Sequence, residues 1–166
     1  MKRFNITGVC VPRLHYMVDI SNKIEEIKKL IEHEEYFTIN RARQYGKTTV
    51  INQLYHSLKD KYLVIKISYE GLGEKAFSSE NELCESLISL VSTRLIQNNV
   101  PKSVIEEWES NKDNLEKLEE LSRKITALID GAGKETVLII DEVDKSGDNQ
   151  LFLNFIGMLR TKYLDR

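Results

Sequence analysis

Tyr36-Phe37-Thr38-Ile39-Asn40-Arg41-Ala42-Arg43-Gln44-Tyr45-Gly46-Lys47-Thr48-Thr49 is the stretch whose reading decides the fold. An apolar run leads into a polar loop, and the loop into residues that open a helix. The spacing predicts a strand at 36–40, a phosphate-binding loop, and a helix from Thr48 to about Leu58. Gly46 lets backbone amides approach phosphate oxygens. Lys47 can reach the β- and γ-phosphates, and the Thr48 hydroxyl can ligate magnesium. The start of the helix turns unpaired N–H groups and the positive end of its dipole toward the same anion. Arg43, Gln44, Tyr45, Gly46, Lys47, Thr48 and Thr49 are therefore the candidate nucleotide-binding residues. The general pattern has glycine where this chain has Arg41, whereas the Gly-Lys-Thr-Thr half and the loop length fit it.

A Gly-Lys-Thr alone also occurs in ordinary turns with a solvated lysine, so a second feature has to carry weight. Val137-Leu138-Ile139-Ile140-Asp141-Glu142 supplies it. Four consecutive branched apolar residues fit a strand buried on both faces, as parallel sheets require. Two carboxylates follow at its carboxyl end, where open α/β sheets bind their ligands. This is a Walker B arrangement: Asp141 would hold the magnesium and Glu142 would polarise the attacking water. Catalysis is thus assigned to Glu142 and Lys47, the metal to Thr48 and Asp141, and the cofactors are ATP and Mg2+. Glu70, at the end of another predicted strand, is the other candidate base; Glu142 is preferred because it adjoins the metal aspartate.

Arg41-x-Arg43-Gln44-Tyr45-Gly46-Lys47-Thr48, with arginine at the usual first glycine, resembles a bacterial and archaeal group of AAA-like P-loop ATPases related to the STAND group. The resemblance extends to His15-Tyr16-Met17-Val18-Asp19 before the first helix, to Asp141-Glu142-Val143-Asp144, and to Phe152-Leu153-x-Phe155 and Leu159-Arg160. It covers nearly the whole chain. By resemblance, His15-Tyr16 stands where an adenine can stack, so Tyr16 joins the nucleotide-binding candidates; ordinary aromatic packing is the competing reading. Arg41 or Arg43 can contact a phosphate or stay solvated. Asp144 is read as capping the next helix rather than supporting the metal.

The chain has 166 residues with 24 basic and 26 acidic side chains, a net charge of −2. That length suits one domain able to bury about 70% of its unfolded surface. Charges are interspersed, so no nucleic-acid groove is indicated. No apolar run approaches the length of a membrane span, and the N-terminus lacks the apolar core of a signal peptide. Cys10 and Cys84 have no metal spacing and fit reduced thiols in a cytoplasmic protein. His33 and His56 stand on polar helix faces and read as solvated.

Elements alternate as a doubly wound sheet demands. Ser21 is the expected cap of a first helix ending near Glu35, with Ile24, Ile27, Leu30 and Ile31 on one stripe. Tyr62–Tyr69 reads as a strand. Ser79-x-x-Glu82 is a capping box opening a helix through Leu95. Pro101 precedes a helical segment around Trp108. Leu115, Leu118, Leu121, Ile125 and Leu128 mark a helix from about Asn114 to Asp130, read as core rather than as a partner surface. A last helix runs from Asn149 to Tyr163.

The expected fold is an α/β P-loop NTPase, a parallel sheet flanked by helices, with 1–166 one ATPase domain and 1–35 its lead-in and first helix. The Asp141-Glu142 pair suggests the additional-strand, catalytic-glutamate branch, in which a sensor strand lies between the loop strand and the Walker B strand. That strand would follow residue 166. The chain then reads as an N-terminal part with an incomplete sheet, impaired as a hydrolase, and partnered by a C-terminal region or by another copy. In the other P-loop branch the two strands are neighbours and no gap arises. Function divides the same way, between Mg-ATP hydrolysis driving a conformational change in a larger protein and a nucleotide-dependent switch with little hydrolysis.

Overall fold

Two runs of branched apolar residues form the sheet. Strand β1 (Leu63–Ser68) lies parallel to strand β2 (Thr136–Asp141), in a register that pairs Leu63 with Thr136 and Ser68 with Asp141. This computed structural model describes residues 2–5, 10–11, 13–40, 46–70, 72–112, 115–143 and 149–165. It divides into two units, Met1–Asp60 and Lys61–Arg166. The architecture is α/β, with helices flanking a short parallel two-stranded sheet.

In the first unit, helix α1 (Ser21–Glu32) packs against helix α2 (Lys47–Leu58). Ile24 and Ile27 of α1 and Val50, Ile51, Leu54 and Leu58 of α2 are buried, at spacings that put each set on one helix face. Asp19 serves the start of α1: its Oδ1 accepts from the Ser21 N–H at 2.9 Å, and the hydrogen bonding to Ser21 lowers its carboxyl pKa. Ser21, the expected cap, lies inside the first turn. The helix stops three residues before Glu35. Glu34 turns left-handed (φ 54°), and the N–H groups of Glu34 and Glu35 return to the carbonyls of Ile31 and Leu30.

In the second unit, helix α3 (Glu80–Gln97), helix α4 (Lys102–Glu109) and helix α5 (Leu118–Gly131) lie between the strands in sequence, and helix α6 (Gln150–Leu164) follows β2. Leu63, Ile65 and Ile67 of β1 meet Leu83, Leu87, Ile88 and Leu95 of α3 in one core with Trp108, Leu121, Leu128, Phe152 and Phe155. Burying each such side chain contributes about 2 kcal/mol. The 115–128 leucine stripe is part of this core, as expected. Cys84 is buried there, and burial, with the charges of Glu80 and Glu120, pushes its thiol up to about 11. It is a packing residue. Among the described residues no helix is long and apolar enough to cross a membrane.

Three local expectations change. Residues 36–40 form no strand. Phe37 and Ile39 are half-buried while Tyr36, Thr38 and Asn40 are exposed, so the alternation is present without a ladder. Strand propensity describes how side chains suit a pleated surface and supplies no backbone partner. Helix α5 starts at Leu118 rather than Asn114 because α3 holds the segment before it. Glu80 Oε2 accepts from the Leu118 N–H at 2.9 Å, and Asn81 Nδ2 donates to Leu115 O at 2.8 Å. At α6 the cap is Asn149, whose Oδ1 accepts from the Leu151 and Phe152 N–H groups at 2.9 and 3.4 Å. Asp144, expected in that role, lies outside the described residues. The Ser79 cap holds: its Oγ accepts from the Glu82 N–H at 3.2 Å, while the Glu82 carboxylate pairs with Lys75 at 3.1 Å.

Ser92 is the costly position in α3. Its buried hydroxyl has no partner among the described residues. Neighbouring Ser89 and Thr93 donate back to the carbonyls of Glu85 and Ser89. The equivalent acceptor for Ser92, Ile88 O, instead takes the Trp108 Nε1–H at 3.1 Å. Ser92→Ala is expected to stabilise the chain by about 1 kcal/mol. A urea unfolding midpoint that falls instead of rising would contradict this.

Candidate functional site

The first candidate is the start of α2. Gly46 is its N-cap residue and adopts φ 74° and ψ 20°, left-handed backbone that glycine takes without strain. A Cβ built there meets nothing within 4 Å, so the backbone conformation rather than space calls for glycine. The first helical hydrogen bond runs from the Val50 N–H to Gly46 O at 2.9 Å. The amides of Gly46, Lys47, Thr48 and Thr49 therefore precede the helix's internal bonding. No acidic residue occupies the first turn. Lys47 is half-buried and Thr48 exposed. Backbone amides, a helix dipole, an ammonium and two hydroxyls thus share one turn, a combination suited to a phosphate. Arg41, Arg43, Gln44 and Tyr45 lie outside the described residues.

Tyr16, also in the first unit, is 51% exposed and packs against Phe4 with ring centroids 5.0 Å apart. His15 beside it is buried, and its Nδ1 accepts from the Val11 N–H at 2.9 Å. An isolated parallel bridge between Arg3 and His15 ties this lead-in together. His15 is committed to local structure; Tyr16 keeps an accessible ring.

The second candidate is the carboxyl end of the β1–β2 ladder. Asp141 ends β2 and is 6% exposed. Its Oδ1 accepts from the Glu142 N–H at 2.9 Å, and its carbonyl accepts from the Tyr69 N–H at 3.1 Å. Glu142 has φ 55°, left-handed backbone that costs a side-chain-bearing residue energy. Ser68 stands opposite Asp141, and its Oγ accepts from the N–H of Glu70, which is exposed. Ser68 was legible only once the strands had a register. Tyr69 is buried and packs edge-on against Phe77 and Phe152, at centroid distances of 5.9 and 5.4 Å. Burial raises its phenol pKa, so it stays neutral.

The phosphate-loop residues and Tyr16 belong to the first unit, and Glu70, Asp141 and Glu142 to the second. Among the described residues no group of three or more His, Cys, Asp or Glu side chains gathers to hold a metal. Magnesium at a nucleotide needs no such group, because it takes one or two protein oxygens beside phosphate oxygens and water. A hollow of about 170 Å³ between α4 and α5 is lined by Trp108 and Lys124 and includes neither acid of the pair. Lys124 there donates to Glu107 O, Trp108 O and Ser110 Oγ at 3.0, 3.1 and 3.0 Å. Burial lowers its pKa, against the opposing charge of Glu107. It caps the end of α4.

No family model matches the chain, and no solved structure matches it. The chain is similar to an uncharacterized ATP-binding protein of Methanocaldococcus jannaschii. Identity is 32% over 152 aligned residues, covering 72% of this chain and 42% of the relative. The chain thus spans less than half the length of that relative.

Proposed function

We propose that this chain binds Mg-ATP, with its phosphates at the N-terminus of α2, and hydrolyses it as a P-loop ATPase within a larger protein. The observation that carries the reading is the left-handed Gly46 directly before a helix whose first turn is Lys47-Thr48-Thr49. The relative's name supports ATP as the nucleotide, and the parallel strand pair is compatible with a P-loop sheet.

In this reading Lys47 neutralises the β- and γ-phosphates, the amides of the first turn bind their oxygens, and Tyr16 offers a ring to the adenine. Thr48 and Asp141 would hold Mg2+, which when bound offsets phosphate charge. Asp141 fits this role because its carboxylate ends a strand and is already oriented by the Glu142 amide. Glu142 would accept the proton of the attacking water. Phosphoryl transfer asks for positioning and charge stabilisation more than covalent chemistry, so these few groups suffice in kind. The strained backbone at Glu142 accords with a residue kept for function.

Lys47→Ala should weaken Mg-ATP binding at least about tenfold, or about 1.4 kcal/mol, with the thermal midpoint unchanged. Equal affinity by calorimetry would refute the phosphate-loop assignment. Glu142→Gln should preserve binding and slow hydrolysis about 100-fold or more. An unchanged rate would transfer the base to Glu70, for which Glu70→Gln is the matching variant. Binding without measurable hydrolysis in the parent protein would make it a nucleotide-dependent switch. Glu142→Asn, which tolerates left-handed backbone, should stabilise the fold by about 1 kcal/mol while abolishing turnover; a destabilised variant would refute strain at this residue.

A further inference from the structure

Strand β1 has two edges with different fates. The Leu63 N–H donates to Glu135 O at 2.9 Å and the Tyr69 N–H to Asp141 O at 3.1 Å, so the odd-numbered residues face β2. In a parallel ladder both backbone groups of a residue point to one side. Val64 and Lys66 therefore turn theirs to the outer edge. There α3 and its C-cap residue meet them: Asn98 Nδ2 donates to Val64 O at 3.2 Å, and Arg94 Nε donates to Lys66 O at 2.6 Å.

The match is geometric. Residues four apart on a helix are separated by about 6.0 Å along its axis, and alternate residues of a strand by about 6.6 Å. The order is reversed, with the earlier helix residue on the later strand residue, so α3 runs back along β1. Each donor is held in place by a second bond. Arg94 Nη1 donates to Gln97 Oε1 at 2.8 Å, and Asn98 Nδ2 donates to Arg94 O at 2.8 Å.

We infer that Arg94 and Asn98 guard the outer edge of β1, denying it to any further strand and making β1 the terminal strand of its sheet. The need for a guard is plain in the sequence. Leu63-Val64-Ile65-Lys66-Ile67-Ser68 has one charge, no proline and high strand propensity, the composition of a segment that pairs with its own kind. An uncovered edge of that composition recruits a second copy of the chain. Two side-chain donors that occupy alternate carbonyls leave an incoming strand without its acceptors.

The test is the double variant Arg94→Met/Asn98→Leu of the full chain, which keeps side-chain volume and helix-forming character while removing both donors. By sedimentation it should show about a doubling or more of weight-average mass over the parent. Adding Lys66→Pro, which deletes an outward N–H without touching the β1–β2 ladder, should return the mass to the parent value. Unchanged mass in a double variant with parental circular dichroism would overturn the proposal. So would a mass that stays raised after Lys66→Pro, or an equal rise in Asn149→Ala, which weakens the α6 cap and leaves the edge covered. If the double variant fails to fold, Asn98→Leu alone carries the same test at Val64, with the same two outcomes.

Discussion

Parallel strands cannot be joined by a tight turn, so the chain must travel back to the start of the sheet before it can form the next one. That constraint organises residues 61–166. Between Ser68 and Thr136 the return path is α3, α4 and α5, and its helices are tied to one another as well as to the sheet. Trp108 on α4 donates to Ile88 O of α3, and Lys124 on α5 holds the last carbonyls of α4. Once the register is set, Ser68 and Asp141 end the ladder together, and the acidic pair stands at the carboxyl end of the strands. Helix α3 serves the sheet twice, with an apolar face in the core and two polar side chains on the outer edge of β1.

Left-handed backbone marks the stops. Glu34, Asn99 and Asn111 follow the ends of α1, α3 and α4; at Glu34 and Asn99 the last carbonyls find partners in the turn, whereas those of α4 are held by Lys124. After α3 the bonds run from the Asn99 N–H to Ile96 O and from the Val100 N–H to Leu95 O, and Pro101 then prevents continuation. Glu142 differs. It follows a strand, its conformation ends no helix, and asparagine or glycine would occupy the position with less strain. The residue placed there instead carries a carboxylate, the group proposed as the base.

Much of this was legible because side-chain pattern and backbone need coincide. Gly46 before Lys47-Thr48-Thr49, the Ser79 cap, and the apolar runs of β1 and β2 each state locally what the chain does locally. The misreadings arose where a distant residue decides. Nothing near Leu118 announces that Glu80 will capture its N–H and delay α5. Ser21 is the cap of α1 expected from the sequence, but Ile20 takes the N-cap position and the Asp19 carboxylate accepts from the Ser21 N–H, which the geometry of the entering chain decides. Tyr36–Ile39 has the alternation of a strand but forms no ladder, because alternation describes side chains and pairing requires a neighbour. The acidic pair was found by its position after an apolar run; its neighbour Ser68 became visible only through the register.

Hydrogen exchange of the backbone amides, with and without Mg-ATP, reads the proposed phosphate contacts at the atoms concerned. The amides of Gly46, Lys47, Thr48 and Thr49 precede the first internal bond of α2, and phosphate oxygens are the partners proposed for them. Saturating Mg-ATP should slow their exchange at least about tenfold, and Lys47→Ala should remove most of that protection at the same nucleotide concentration. Unchanged exchange at these four positions, or protection confined to the hollow between α4 and α5, would contradict a nucleotide at the start of α2.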